Sequence, residues 1–254
     1  MYTLTTNSYD YNSFYDSTDL RGVDDKNTPR PWNLQALVIK NSYKEYNMLD
    51  IGCGTAFKLI PLAPYFKTIV GIDPSESMRK AAIEKIGLSS IKNITILDND
   101  ANNISNLNMK FDLITSMVAK FNIQELHRCI TSNGKIIIEY IGCQDKIQFK
   151  KYFGKDNQGW RGQLIDETPE SYIDNFKNMF SKFFETVRIE NGYWNTFYSK
   201  EGLIKLLNNT PTIRNFSEKD HKILDHAINE LITPHGIKLQ QNRILIYAER
   251  PKIF

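Results

Sequence analysis

The chain has 254 residues, 41% of them hydrophobic, so it is long enough to bury a substantial core. Its net charge of +3 is too small to indicate, by itself, a nucleic acid or an anionic membrane as partner. The spacings of Cys53, Cys129 and Cys143 match neither a metal site nor a disulfide framework, and no run approaches the roughly 18 apolar residues of a membrane helix, so we expect a soluble, cytoplasmic protein without a membrane partner.

Short apolar segments rich in β-branched residues alternate with segments of helical spacing along the chain. After the second apolar segment, Ser75 is positioned to cap a helix in which Met78, Ala82 and Ile86 recur every four residues and Gly87 provides the end. This alternation is typical of βαβ units and a parallel sheet. The predicted strands are 48–51, 68–72, 94–97, 111–115, 135–140, 183–190 and 243–249.

We expect one domain in three parts. Residues 1–46 form an N-terminal arm or lid, 47–141 the cofactor-binding core, and 142–254 a C-terminal half with a helical lid insertion at about 195–242. The last part contains two connections without predicted strands, each long enough to build a lid over a substrate.

A turn with two glycines follows the first predicted strand, in the segment Met48-Leu-Asp-Ile-Gly-Cys-Gly-Thr55. Glycines permit a tight turn and the close approach of a ligand, and ligands of open α/β sheets bind outside the carboxyl ends of the strands. Asp73 follows Gly54 by 19 residues, where a carboxylate can accept from both ribose hydroxyls of a nucleoside. Phe57 occupies the third glycine position of the dinucleotide pattern, which favours a cofactor without phosphates.

Taken in order, the segments LDIGCGT, GIDPSESM, DNDANNI, FDLITSM and ELHRCITSNGKIIIEY resemble the successive motifs of class I S-adenosylmethionine-dependent methyltransferases over residues 47–140. The resemblance implies an α/β fold with a Rossmann-like seven-stranded sheet, mostly parallel with an antiparallel last strand and with helices on both faces. It also implies a turn at Ser132-Asn133-Gly134 before the fifth strand.

The resemblance further implies a role for each matching position in binding S-adenosylmethionine. Gly52 and Gly54 let the backbone wrap the methionine part, and Asp73 binds the ribose. The other implied cofactor residues are Asp50, which holds the loop, Pro74 and Met78, which pack against adenine, Asp100 and Ala101, which read its edge, and Ser116, which lies near the methyl group.

Some of these residues also have a purely structural interpretation. Asp50 and Asp100 suit a turn or a cap, and Asp98 competes with Asp100 for the adenine. Cys53, between the glycines, is a small loop residue rather than a nucleophile.

The sequence contains fewer motifs that indicate the methyl acceptor. The sequence has no Asn/Asp-Pro-Pro-aromatic motif after the fourth strand, no identifiable catalytic base and no metal-ligand spacing. The candidate substrate residues are Tyr11 and Tyr15 near the N-terminus, Met117 after the fourth strand, and Trp194 and Tyr198 directly after the sixth. Ordinary packing of a lid explains the aromatic residues equally well.

The leading functional hypothesis is methyl transfer to a small-molecule acceptor. RNA methylation is the alternative, because basic and aromatic residues interleave between 144 and 162 in a way that suits phosphates and stacked bases, although a charged amphipathic helix gives the same pattern. A non-catalytic, cofactor-binding regulatory subunit and a protein methyltransferase are further alternatives. The sequence does not reveal the oligomeric state.

Overall fold

One large mixed sheet organises the computed structural model, which describes residues 22–254. Its strands are β1 (Val23–Asp24), β2 (Asn47–Ile51), β3 (Thr68–Asp73), β4 (Ile94–Asp98), β5 (Phe111–Met117), β6 (Ile130–Ile141), β9 (Phe184–Tyr198), β10 (Ile232–Thr233) and β11 (Gly236–Pro251). A separate two-stranded hairpin consists of β7 (Lys155–Asp156) and β8 (Gly159–Trp160).

The seven main strands are ordered β9-β11-β6-β5-β2-β3-β4. Strands β6, β5, β2, β3 and β4 are parallel to one another, whereas β11 is inserted antiparallel between β6 and β9. The predicted Rossmann-like sheet with an antiparallel last strand is therefore confirmed. The short β1 pairs with the outer edge of β9, and β10 pairs with the start of β11.

Helices cover both faces of the sheet. They are α1 (Leu34–Lys40), α2 (Glu76–Gly87), α3 (Ile123–Cys129), α4 (Ile147–Lys150), α5 (Pro169–Ser181), α6 (Lys200–Asn209) and α7 (His221–Leu231). One core cluster joins α3 and α5 to one face, and a second joins α1 and α2 to the other. Within residues 22–254 no helix has the length and apolar character needed to cross a membrane.

The helix after β3 begins as the sequence predicts. Ser75 is its N-cap, and the hydroxyl of Ser75 accepts a hydrogen bond from the backbone N–H of Met78 at 3.3 Å. Gly87 is its last residue. Such a cap satisfies one of the backbone donors left open in the first helical turn, and so it fixes where the chain leaves the carboxyl end of β3.

The last two main strands are much longer than predicted. Strand β9 continues to Tyr198 and β11 begins at Gly236, so the connection between them is 199–235 rather than about 195–242. The predictions followed apolar runs, whereas Gln240, Gln241 and Asn242 are polar and yet pair with β9. Trp194 and Tyr198 therefore lie within a strand, and the prediction that they follow it was wrong.

Two smaller features also differ from the sequence prediction. Residues Ser132–Gly134 belong to β6, where the register against β5 is irregular, instead of forming a separate turn. The segment 142–181, predicted to be free of strands, contains the hairpin of β7 and β8.

The helices between β9 and β11 form a third core of their own. Leu203, Leu206 and Leu207 of α6 and Leu224 and Ala227 of α7 pack together with Phe149 and Phe153, and with the ends of β9 and β11. This packing fixes a helical layer beside the carboxyl edge of the sheet, next to the segment that follows β6.

A substitution at Gly142 tests how tightly the chain after β6 packs against Asn242 of β11. A Cβ at Gly142 would lie 1.9 Å from Oδ1 of Asn242, which is completely buried and accepts from the backbone N–H of Gln144. We expect Gly142→Ala to lower the free energy of unfolding by about 3 kcal/mol, because overpacking adds to lost buried hydrogen bonds. Gly87→Ala, which meets no atom within 4 Å, is the control and should change it by less than about 1 kcal/mol in denaturant titrations. Equal effects of the two substitutions would contradict the close packing of Gly142 against Asn242.

Candidate functional site

The turn after β2 has an unusual backbone. Gly52, Gly54 and Ala56 have positive φ values of 70°, 55° and 57°. The backbone N–H groups of Gly52 and Cys53 both donate to the carbonyl oxygen of Ile72 on β3, at 2.8 and 3.0 Å. The turn therefore folds back across the carboxyl ends of β2 and β3, and glycine is the residue that adopts this conformation without strain.

Asp73, the last residue of β3, connects the turn after β2 with the turn after β3. Its carboxylate accepts the backbone N–H of Gly54 on Oδ2 and that of Ser75 on Oδ1, both at 2.9 Å. Burial raises the pKa of Asp73, and the two backbone hydrogen bonds oppose that shift. Since two carboxylate oxygens offer about four acceptor positions, two remain for a ligand.

The two glycines of the turn differ in the space around them. A Cβ at Gly52 would lie 2.4 Å from the Cβ of Ala119, so Gly52 permits the close packing of two loops. A Cβ at Gly54 would meet no atom within 4 Å. Gly54 therefore exposes its backbone to an open space, as the sequence analysis expected of a turn that a ligand approaches.

Asp50 lies below the turn, one residue before the end of β2. The hydroxyl of Thr115 donates to its Oδ1 at 2.7 Å, which ties β2 to β5. Burial raises the pKa of Asp50 to about 6, while the Thr115 hydrogen bond and the charge of Lys58 act in the opposite direction. The carboxyl group thus holds the neighbouring strand from within β2, and it does not act as the turn or cap residue of the structural interpretation.

Residues at the end of β5 face in different directions. The Ser116 hydroxyl is completely buried and donates to the carbonyl oxygen of Ile51 at 3.2 Å, so its side chain faces the sheet. The side chain of Met117 is half-buried, and its sulfur accepts a hydrogen bond from the ammonium group of Lys58. Lys58, which the sequence analysis did not select, therefore links the turn after β2 to the end of β5.

The acidic residues after β4 have separate roles. The exposed Asp98 forms an ion pair with Arg79 at 2.9 Å. Oδ1 of Asp100 accepts from the backbone N–H of Asn102 at 2.7 Å and from the side-chain amide of Asn103 at 3.0 Å. Within residues 22–254 the other oxygen of Asp100 has no hydrogen-bond donor, so it offers a free acceptor.

The remaining residues with an expected adenine contact follow the carboxyl ends of β3 and β4. Met78 is buried at the start of α2, and Pro74 is exposed before it. Ala101 is buried in the core cluster that contains α3 and α5. The carboxyl ends of β3 and β4 thus bring these side chains to one edge, with Asp73 directly opposite Asp98 in the register.

On the acceptor side, the two aromatic residues of β9 are buried. The indole N–H of Trp194 donates to Asp24 at 3.0 Å, and Tyr198 packs in the third core, where burial raises its pKa. Tyr11 and Tyr15 lie outside the described residues.

A buried carboxylate beside Met117 was missed by the sequence analysis. Glu139 of β6 is fully buried, pairs in register with Met117, and accepts from Arg30 at 2.5 Å and from the indole N–H of Trp32 at 2.7 Å. A charged residue within the apolar run of residues 135–141 is the signal that could have identified it, since a buried charge needs a partner.

The sheet order and the glycine turn braced by Asp73 together define a class I methyltransferase architecture. Residues 48–134 match the family described as methyltransferase domain. An uncharacterized methyltransferase of Oceanobacillus iheyensis, OB1106, is 28% identical over 164 residues, which are 58% of this chain and 71% of that protein. Residues 48–134 thus form a methyltransferase domain, and the similarity to these relatives supports an S-adenosylmethionine-dependent methyltransferase.

Solved structures support the same fold at low identity. The YcgJ protein of Bacillus subtilis superposes with a TM-score of 0.60 and 18% identity over 87% of this chain and 99% of its own. Phosphoethanolamine N-methyltransferase 2 of Haemonchus contortus superposes with a TM-score of 0.51 and 18% identity over 87% of this chain and 53% of its own.

The raised pKa of Asp50 predicts how the stability of the protein depends on pH. The native state retains a proton that the unfolded chain releases near pH 4, so stability falls as pH rises towards 6. Asp50→Asn removes this titration, and the difference in unfolding free energy between the two proteins should change by about 2 to 3 kcal/mol between pH 4 and 7. Denaturant unfolding at several pH values measures it, and parallel curves for the two proteins would contradict the prediction.

Proposed function

We propose that this methyltransferase transfers a methyl group from S-adenosylmethionine to a small-molecule acceptor. The observation that carries the cofactor assignment is the Asp73 carboxylate, which holds the turn after β2 through the N–H of Gly54 and retains acceptor positions for ribose hydroxyls. The open space at Gly54 supports it, because a ligand can approach the backbone there.

The other residues fit an adenosine without phosphates. The unused oxygen of Asp100 can accept from an exocyclic amine, as the sequence resemblance implies, whereas the carboxylate of Asp98 is paired with Arg79. Pro74 and Met78 provide apolar surface next to Asp73. The solved methyltransferase of Haemonchus contortus was bound to S-adenosylhomocysteine, the form that remains after transfer.

S-adenosylmethionine supplies a methyl group on a sulfonium sulfur, and an acceptor held in line with that carbon is the main requirement for transfer. Met117 at the end of β5 would lie beside this group, and so would the backbone of Ser116, whose hydroxyl is turned into the sheet. Holding the acceptor there is the task of the protein, and correct orientation alone can contribute roughly 7 to 11 kcal/mol in favourable cases.

The burial of the basic segment after β6 favours a small molecule over RNA. Lys146 and Lys150 are buried around Asp145, and Arg161 is paired with Asp220 at 2.6 Å, so these three side chains do not form a track for phosphates. Phe149 and Phe153 are buried in the third core. Lys151 and Lys155 remain exposed, and two exposed lysines are common on any surface.

The glycine turn gives a matched test of cofactor binding. We expect Gly54→Ala to weaken S-adenosylhomocysteine binding at least tenfold, about 1.4 kcal/mol, because the new methyl group enters the open space. Gly154→Ala is the control: Gly154 also has a positive φ, of 63°, and meets no atom within 4 Å, but it lies on the segment that follows β6.

Both variants should lose about 1 to 3 kcal/mol of stability, because a positive φ disfavours any side chain; Gly154, with ψ of −158°, lies in a region nearly restricted to glycine and should lose at least as much as Gly54. Calorimetric titration measures affinity, and thermal unfolding measures stability. Equal losses of affinity in the two folded variants would show that the cofactor does not contact Gly54.

The proposed acceptor class is tested by turnover. Purified protein incubated with S-adenosylmethionine should form S-adenosylhomocysteine in the presence of a fraction of small metabolites and not with total RNA. RNA as the substrate would show binding that weakens steeply with salt, because phosphate contacts release counterions. Tight cofactor binding without turnover on any acceptor would favour the regulatory subunit.

A further inference from the structure

A cluster of charged side chains lies around the carboxyl end of β6 and beside β9 and β11, and all of them are buried except Arg30 and Arg243, whose side chains are 24% and 13% exposed. Its carboxylates are Glu139 and Asp145, and its cations are Arg30, Lys146, Lys150 and Arg243. The side chains of Asp145, Lys146 and Lys150 are only 3%, 7% and 10% exposed. Arg30 pairs with Glu139, and Arg243 pairs with Asp145. The indole ring of Trp194 lies between the two pairs, since the guanidinium carbons of Arg30 and Arg243 are 4.9 and 5.8 Å from its centre.

The cluster contains more positive than negative charge. Four cations face two buried carboxylates, and the third nearby carboxylate, Asp24, is exposed and accepts from the indole N–H of Trp194. Burial lowers the pKa of Lys146 to about 8 and also lowers the pKa of Lys150; the charge of Asp145 opposes this shift, and the smaller effect of Arg243 adds to it. Buried charge without a counterion is costly, so the cluster favours the arrival of an anion.

The two arginines have donors available for that anion. Arg30 donates to Glu139 through Nη2, and Arg243 donates through Nη1 to Asp145 and to the carbonyl oxygen of Asn242. The Nε of Arg30 is buried without an acceptor, and within residues 22–254 neither arginine uses its other nitrogens. A guanidinium group presents its N–H donors as a planar fork that matches a carboxylate or a phosphate.

The position of the cluster relates it to the site of methyl transfer. Glu139 is the register partner of Met117 on the neighbouring strand, and Arg243 is the register partner of Ile141. Adjacent strands lie roughly 4.8 Å apart, so Glu139 and the bound Arg30 begin one strand spacing from the end of β5.

We propose that Arg30 and Arg243, with Lys146 and Lys150 behind them, bind an oxyanion of the methyl acceptor, a carboxylate or a phosphate. This inference rests on the proposed function, because it identifies the acceptor class of the same site. The anion balances the buried charge and holds the acceptor with its other end directed towards Met117.

Arg243→Met removes one cation and one guanidinium fork while Asp145 keeps Lys146 and Lys150. The matched control is Arg250→Met on the same strand, where the arginine is 68% exposed. Each protein is first saturated with S-adenosylhomocysteine and then titrated with sodium phosphate or sodium benzoate at constant ionic strength, with the shift in melting temperature as readout.

We expect phosphate or benzoate to raise the melting temperature of the unsubstituted protein and of Arg250→Met. The apparent affinity for that anion should fall at least tenfold in Arg243→Met, and Arg243→Lys should recover only part of it. The stronger of the two anions distinguishes a phosphate from a carboxylate. Lys150→Met is the second variant, should Arg243→Met fail to fold, and it too should weaken anion binding.

If the charged side chains of the cluster only pair with one another and bind no anion, the titrations give a different result. The proposal is overturned if neither anion shifts the melting temperature of the cofactor-loaded protein, or if Arg243→Met and Arg250→Met respond equally. Absence of S-adenosylhomocysteine binding in the first titration would instead contradict the proposed function. The two failures are therefore distinguishable.

Discussion

The carboxylate of Asp73 accepts one backbone N–H from the turn after β2 and another from the turn after β3, and the geometry of the whole edge follows from this pair. Gly54 is held in its left-handed conformation, and α2 starts at a fixed point beside it. Arg79 of α2 donates back to the carbonyl oxygen of Asp73 at 2.9 Å and reaches Asp98 on the next strand. The carboxylate of Asp73 thus holds the turns after β2 and β3, and Arg79, bound to the backbone carbonyl of Asp73, links them to the end of β4.

Much of the fold was predictable from the sequence because local signals coincide with it. The apolar runs gave seven strands in their correct places, and Ser75 marked the start of α2. The ends of β9 and β11 were not predictable, because Gln240 to Asn242 are polar and are kept in the sheet by pairing with residues about 50 positions away. Backbone pairing between distant strands leaves little trace in a hydrophobic pattern.

Part of the candidate site was also predictable from the sequence, and part was not. Gly54 and Asp73 were expected together because the carboxyl ends of neighbouring parallel strands meet at one edge. Glu139 with Trp32, and Trp194 with Asp24, are separated by 107 and 170 residues, and no spacing in the sequence indicates such pairs. Lys146 and Lys150, two of the lysines that suggested an RNA surface, lie near Asp145 in the sequence, but only the structure shows that they are buried and paired with it.

The order of the strands has a consequence for synthesis of the protein. Strand β11 separates β6 from β9, yet it follows both of them along the chain. While a ribosome adds residues 199–235, β9 has finished and its inner edge still lacks the neighbour with which it pairs over 14 positions. An unpaired strand edge is prone to join another chain. The nascent protein therefore passes through an interval of aggregation risk that ends only when β11 has emerged, so chaperone dependence should concentrate there.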